Sequence, residues 1–159
     1  MCFLSKYSFS KNTSSKQLKI VYTGLHGTGV KVIPKALKYL GFNNILTTKE
    51  QDLISGDFPT VISPNPEEPE ALNLAIKLAK KNNVDLVFGT DPDSDRVGVA
   101  VKEDNEEGYI LLNGNQTGAL ILNYLLLNLK DQNRLEPNNY IIKSVVTSDL
   151  LKEMASRYD

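Results

Sequence analysis

The sequence of 159 residues is 41% hydrophobic and 23% charged, and its formal net charge is −1. These values are typical of a globular protein with a core, and without an excess of basic residues neither nucleic acid nor a membrane is expected as a partner. Cys2 is the only cysteine, which excludes an internal disulfide and favours a cytoplasmic location. The longest apolar stretch, residues 118–129, is shorter than the roughly 20 residues of a bilayer span.

Strand and helix patterns alternate along the first two thirds of the chain. Residues 1–17 are rich in Ser, Lys and Asn and are expected to be a poorly ordered lead-in. The pattern then predicts a buried strand at 18–24, a helix from near Ile33 to Gly41, a short strand at 44–48, a helix within 65–83, a buried strand at 84–90, and a hairpin of strands 96–103 and 109–113 around an acidic turn. A long helix at 114–130, a strand at 139–147 and a helix at 148–159 with Ser148 as its N-cap are predicted to follow.

This alternation predicts an α/β protein, a three-layer α/β/α sandwich with a mixed, largely parallel sheet. We expect a complete first domain at 18–112. Residues 113–159 are expected to be the opening part of a second domain, because no strand follows the last helix. The chain is therefore expected to be truncated.

Three aspartates alternate in the segment GTDPDSDRVG (89–98): Asp91, Asp93 and Asp95. In an extended strand such side chains would lie nearly 7 Å apart, and in a helix the middle one would point away. They converge only in a curled loop, which here follows a buried strand, where α/β sheets bind their ligands. Clustered carboxylates need a compensating cation, and oxygen ligands favour Mg²⁺ first, with Mn²⁺ or Ca²⁺ next. Arg96 can hold a phosphate beside the metal, so the loop predicts metal-assisted phosphoryl transfer.

Other kinds of loop also place aspartates at close spacing. An acidic surface turn without a metal explains the same spacing and stays open on the residues alone. An EF-hand is excluded, because the sixth residue counted from Asp91 is Arg96 rather than Gly and the twelfth is Lys102 rather than Glu. The D-x-D-x-T-like pattern of phosphatases with an aspartyl nucleophile is absent.

A glycine-rich turn, TGLHGTGV (23–30), links the first strand to the first helix. Its G-x-x-G-x-G order matches neither the dinucleotide fingerprint nor the P-loop, although main-chain N–H groups in such a turn can face an anion. His26, the only histidine, is expected to be accessible among these glycines. Contact with a substrate and a hydrogen-bonding role in shaping the loop both stay open for it.

Both motifs, in this order, resemble the α-D-phosphohexomutase superfamily, the phosphoglucomutases and phosphomannomutases. LKIVYTGLHGTGVKVIPKALKYLGF is similar to the opening of that family's second domain, which usually reads TPLHGTG, with Gly24 in place of the proline. SPNPEEPEALNLAIKLA resembles the helix of the same domain, and GTDPDSDR resembles its ATDPDADR-type metal loop. LNGNQTGALILNYLL and KSVVTSDLLKEMA look like the start of the third domain, and the GNQ segment favours the phosphoglucomutase branch.

The resemblance implies a four-domain enzyme that moves phosphate between C1 and C6 of a hexose through a phosphoserine and a hexose bisphosphate. It implies that Asp91, Asp93 and Asp95 hold Mg²⁺, that Arg96 contacts phosphate or sugar, and that the other mutase domains and a hexose phosphate are the partners. The family's T-A-S-H-N-P-like serine loop is absent from these residues, and Ser94 is not its equivalent. We therefore expect no catalytic nucleophile here and no activity of this chain alone. A non-catalytic α/β module that binds metal and phosphate, and an adapter domain with an acidic turn, are the alternatives.

Overall fold

The computed structural model describes residues 17–104 and 108–158. The predicted lead-in, apart from Gln17, and the centre of the acidic turn lie outside the described residues. The chain divides into two compact units, one ending at Leu112 and the other beginning at Asn113. The assignment of these units to successive domains of a larger protein stays a prediction.

The first unit is built on a five-stranded mixed sheet with the strand order β2-β1-β3-β4-β5. Its strands are β1 (Ile20–Thr23), β2 (Ile45–Thr47), β3 (Leu86–Thr90), β4 (Val97–Lys102) and β5 (Tyr109–Leu112). β1 pairs with β2 and β3 in parallel, whereas β3 with β4 and β4 with β5 are antiparallel. The predicted α/β class, mixed sheet and β4–β5 hairpin are therefore confirmed. The antiparallel pairing of β3 with β4 was not predicted.

Helices α1 (Gly29–Tyr39) and α2 (Pro69–Asn82) lie on opposite faces of this sheet. Val21 points to the face covered by α2, in a core cluster that includes Ala75 and Ala79. Tyr22, the next residue of β1, points the other way, and its hydroxyl lies beneath the first residue of α1. The alternation of side chains along a strand thus gives β1, an interior strand of the sheet, two buried faces.

Helix α1 corrects the predicted start near Ile33, because it begins four residues earlier, at Gly29. Pro34 is therefore inside the helix rather than in its first turn, and it cannot donate the main-chain hydrogen bond of that position. The first turn is nevertheless fixed, because Thr28 is hydrogen-bonded to Pro92 and Gly29 packs against Tyr22. At its other end, Gly41 adopts a left-handed φ of 96°, consistent with its predicted role in ending the helix.

The second unit contains α3 (Gly114–Asp131) and α4 (Leu150–Ala155). Asn113 and Gln116 form a reciprocal capping box at the start of α3, with both hydrogen bonds 2.9 Å long. The predicted strand at 139–147 is wrong: this segment is irregular, because no described residue of the unit forms a strand with which it could pair. Asp149 rather than Ser148 is the N-cap of α4, although the Ser148 hydroxyl accepts a hydrogen bond from the Leu150 N–H. Among the described residues, no helix combines the length and apolar character needed to cross a membrane.

Candidate metal centre

The three alternating aspartates lie in the aspartate loop, residues 91–96, which joins β3 to β4. Thr90 and Val97 are paired across the two strands, so the loop closes a hairpin. It begins at the carboxyl end of β3, beside the carboxyl end of the parallel strand β1. Ligands of open α/β sheets bind at this edge.

The loop curls so that its three carboxylates converge. One carboxylate oxygen each of Asp91, Asp93 and Asp95 lies within 4.8 Å of the others. The curl begins with a turn in which the Ser94 N–H donates to the Asp91 carbonyl at 3.0 Å, and Ser94 itself has a left-handed φ of 65°. Asp91 is only 2% exposed, whereas the side chains of Asp93 and Asp95 are exposed.

Arg96 holds the buried carboxylate in place. Its main-chain N–H donates to Asp91 Oδ1 at 3.0 Å, and its Nε donates to Asp91 Oδ2 at 2.8 Å. Nε is also 3.9 Å from Asp95 Oδ1. The Arg96 side chain is 53% exposed, and these contacts use its main-chain N–H and Nε rather than its terminal amino nitrogens.

The charges of the loop perturb one another. Burial tends to raise the pKa of Asp91, but hydrogen bonds from the Arg96 main chain and side chain, with contacts to Asp95 and Asp93, together lower it below its usual range. The contact with Asp91 and the charges of Asp93 and Asp91 raise the pKa of Asp95. Asp91 thus gives up its proton more readily than an isolated aspartate and Asp95 less readily, as expected where like charges lie close together.

The residues of this cluster fit a hard divalent cation. All three ligand groups offer oxygen, the donor that Mg²⁺, Mn²⁺ and Ca²⁺ prefer. Two oxygens on opposite sides of an ion lie about 4.2 Å apart for Mg²⁺ and about 4.6–5.2 Å apart for Ca²⁺. Only one pair of the three oxygens can lie on opposite sides of an ion, so the limit of 4.8 Å accommodates a divalent cation after small movements of the exposed side chains and does not select Ca²⁺ over Mg²⁺.

The glycine loop, Gly24–Gly29, packs directly against the aspartate loop. The Thr28 N–H donates to the Pro92 carbonyl at 2.8 Å, and the Thr28 hydroxyl donates to the same oxygen at 3.1 Å. A Cβ on Gly27 would lie 2.2 Å from Pro92 Cα, and one on Gly29 would lie 2.9 Å from Ser94 Oγ. Gly27 is needed because two main chains approach each other closely here, and Gly29 leaves room for the side chains above it, including that of Ser94.

An anion site in the glycine loop, which the sequence left open, is not favoured. The N–H groups of residues 25–28 donate to Thr23 Oγ1, Gln51 O, Gly24 O and Pro92 O, respectively. Each of these four donors therefore already has a protein acceptor. Gly27 makes room for the neighbouring loop, and its N–H is already taken by the Gly24 carbonyl.

The prediction of an accessible His26 is wrong. The residue is only 1% exposed, and both ring nitrogens are hydrogen-bonded, Nδ1 to the Leu53 carbonyl at 2.7 Å and Nε2 to Thr60 Oγ1 at 2.8 Å. Glycine neighbours suggested exposure, but the segment after β2 folds over the ring. Of the two roles left open by the sequence, the shaping of the loop is the one that this geometry favours.

Sequence reasoning missed the residues that connect the two loops. Thr28 bridges them, and Gln51 and Thr60 complete the contacts around His26. The available signal was the strand order: because β1 and β3 are adjacent and parallel, the loops that follow them must be neighbours.

Comparison with known proteins decides the family. A family model described as phosphoglucomutase/phosphomannomutase, alpha/beta/alpha domain II, matches residues 2–106, more than half of the chain. The chain belongs to the phosphoglucomutase/phosphomannomutase family. The predicted resemblance to this superfamily and to its second domain is therefore confirmed.

The similar proteins of this family are much longer than the chain. The phosphoglucomutase of Staphylococcus haemolyticus is 39% identical over 142 residues, and that of Staphylococcus epidermidis (strain ATCC 12228) is 42% identical over 142 residues; each alignment covers 89% of this chain and 25% of the relative. The chain thus spans about a quarter of the length of these curated relatives. A crystal structure of a phosphoglucomutase/phosphomannomutase family protein from Burkholderia thailandensis matches with a TM-score of 0.57 and 22% identity, over 73% of this chain and 23% of that one, and supports the fold.

Proposed function

We propose that this chain supplies the metal-binding loop of a phosphohexomutase of the phosphoglucomutase type. Such an enzyme interconverts hexose 1-phosphate and hexose 6-phosphate through a phosphoserine and a bisphosphate intermediate. The observation that carries the proposal is the convergence of Asp91, Asp93 and Asp95 within 4.8 Å, at the carboxyl edge of the sheet, in a member of this family.

The proposed roles follow from the contacts of each side chain. Asp91, Asp93 and Asp95 would hold Mg²⁺, and Arg96 would orient Asp91 through Nε while the terminal nitrogens of its half-exposed side chain contact a phosphate or sugar oxygen. The three carboxylates and the guanidinium leave a net charge of about −2, which one divalent cation balances. When bound, the metal stabilises the negative charge that develops during phosphoryl transfer. His26 is left out of the substrate-binding set, because its ring is buried and both nitrogens are occupied.

Metal binding is tested first, on the 159-residue chain. Mn²⁺ titration followed by electron paramagnetic resonance, and Mg²⁺ titration followed by NMR, should show one site that perturbs the amides of residues 91–96. Asp93→Asn should weaken metal binding by at least tenfold, because it removes the negative charge of one of the three convergent carboxylates. Asp131→Asn, which removes an aspartate of α3, should leave the affinity unchanged. Equal affinities for the wild type and Asp93→Asn would refute the metal site.

The mutase assignment is tested separately. The gene should encode a T-A-S-H-N-P-like serine loop upstream in the same reading frame, and a frame without one favours a non-catalytic module. We also propose that the 159 residues alone are inactive, since no such serine loop is among them. Conversion of glucose 1-phosphate by this chain, above a metal-free control and in the presence of glucose 1,6-bisphosphate, would contradict that part of the proposal.

A further inference from the structure

We propose that His26 is a positioning residue for the aspartate loop. Its ring is held by a series of hydrogen bonds that all run in one direction. This hydrogen-bond series fixes the glycine loop in the shape that supports Pro92. The inference rests on the proposed function in one respect, namely that the aspartates bind a divalent cation. Its geometric part, the dependence of one loop on the other, is testable without any metal.

The contacts of the imidazole define its tautomer. Nδ1 lies 2.7 Å from the Leu53 carbonyl oxygen, which can only accept, so Nδ1 carries the hydrogen. In the neutral ring Nε2 is then an acceptor, and the Thr60 hydroxyl donates to it at 2.8 Å. His26 is therefore a donor at one nitrogen and an acceptor at the other.

The hydrogen-bond series continues from Thr60 back to the first strand. Thr60 Oγ1 accepts from Gln51 Nε2 at 3.1 Å, and Gln51 Oε1 accepts from the Thr23 hydroxyl at 2.7 Å. Thr23 Oγ1 in turn accepts from the Leu25 N–H at 3.2 Å. Each hydroxyl hydrogen has one acceptor in this arrangement, so the direction of every bond follows from the Leu53 carbonyl. Thr23 and Gln51 are fully buried, which keeps water from substituting for either partner.

The glycine loop needs such a restraint because its backbone is unusual. Leu25 and His26 have left-handed φ values of 44° and 66°, a conformation that is uncommon for residues other than glycine. The main chain of His26 adds two bonds to the same neighbouring segment: its N–H donates to Gln51 O and its carbonyl accepts from the Ser55 N–H, both at 3.1 Å. All four polar groups of His26 therefore engage residues 51–60.

The restraint reaches the aspartates within two residues. Gly27 follows His26 and packs against Pro92, and Thr28 donates twice to the Pro92 carbonyl. Pro92 lies between Asp91 and Asp93, so a displacement of Pro92 changes the separation of their carboxylates. Partners that orient metal ligands without touching the metal commonly change metal affinity by 10–100-fold when they are removed.

Thr60→Val is the variant of choice. Thr60 is exposed and valine has the same shape, so the fold is preserved while the hydroxyl between His26 and Gln51 is lost. Thr60→Ser keeps the hydroxyl and is the matched rescue variant. Val84→Ala shortens a residue of the core cluster and serves as a control for stability loss alone.

We expect Thr60→Val to increase the hydrogen-exchange rate of the Thr28 and Arg96 amides by about fivefold and to raise the Mn²⁺ dissociation constant by about tenfold. Thr60→Ser and Val84→Ala should leave the dissociation constant within twofold of the wild type. The ¹⁵N spectrum of His26 should show the hydrogen on Nδ1. If the wild type binds no Mn²⁺, the proposed metal site is wrong. The amide exchange rates alone then decide whether the aspartate loop depends on the glycine loop for its shape. Unchanged amide exchange in Thr60→Val, faster exchange with unchanged Mn²⁺ affinity, or a ring protonated at Nε2 would each overturn the inference.

Discussion

Substitution of Gly27 by alanine should distort the aspartate loop without altering any of its residues. The added Cβ would lie 2.2 Å from Pro92 Cα and 2.4 Å from the Pro92 carbonyl oxygen. An ordinary contact begins at 3.4 Å, so the two main chains must separate by about 1.2 Å. The main chains of Gly27 and Pro92 cannot relieve this overlap by a rotamer change, as a flexible side chain could. The Thr28–Pro92 hydrogen bond of 2.8 Å cannot survive that separation unchanged.

The magnitude follows from these two effects. Overpacking against a rigid neighbour typically costs about 1–3 kcal/mol, and the weakened hydrogen bond adds about 1 kcal/mol. We therefore expect the free energy of unfolding to fall by about 2–4 kcal/mol in urea titrations. Mn²⁺ affinity should fall by roughly 10–100-fold, because ligand positions move by about an ångström.

Gly56→Ala is the matched control. A Cβ at Gly56 meets nothing within 4 Å, and the residue does not have a left-handed φ. Its replacement should leave the stability unchanged or raise it by up to about 1 kcal/mol. If Gly27→Ala unfolds at the same urea concentration as the wild type and binds Mn²⁺ equally well, the close approach of the two loops is wrong.

Two further predictions concern ionised side chains. In the absence of divalent ions, Asp91→Asn should lower the free energy of unfolding by about 1–3 kcal/mol, because it weakens the hydrogen bonds of the buried Asp91 carboxylate with Arg96. Asp93→Asn, at an exposed residue, should change it by less than about 0.5 kcal/mol. Equal losses in thermal unfolding with EDTA would contradict this contrast. The hydrogen bond and charge of Lys143 lower the pKa of Asp149. The stability that this pair contributes is therefore fully present above the unfolded-state pKa of about 3.9. It is lost as the pH falls through the lower pKa of the folded state. Lys143→Met should return the titration of Asp149, followed by ¹³C NMR of its carboxyl group, to the ordinary range, and an unmoved midpoint would contradict the pairing.

Local patterns predicted the elements that are defined by their own residues. The apolar runs of β1 and β3 and the charged ends of α2 appear in the structure where the sequence predicts them. The convergence of the three aspartates could also be predicted from the sequence, because neither a strand nor a helix can bring three alternating side chains together and only a curled loop can.

Features that depend on contacts between distant parts of the sequence could not be predicted from it. The start of α1 at Gly29 is stabilised by Pro92, far along the chain, so the position of Pro34 alone misled the prediction. The burial of His26 results from residues 51–60, which have no pattern that indicates where they fold. The strand predicted at 139–147 failed because a strand requires a partner, which local hydrophobicity cannot report.

The connectivity of the sheet sets an order for assembly of the folded chain. Strands β3 and β4 are consecutive and close a short hairpin, an event of microseconds, whereas β1 must find β3 across a long intervening segment. We therefore expect the β3–β4 hairpin to form before the glycine loop packs against it. If the aspartates bind a divalent ion as proposed, we expect that binding to follow the docking of β1, because only then does the glycine loop pack against Pro92.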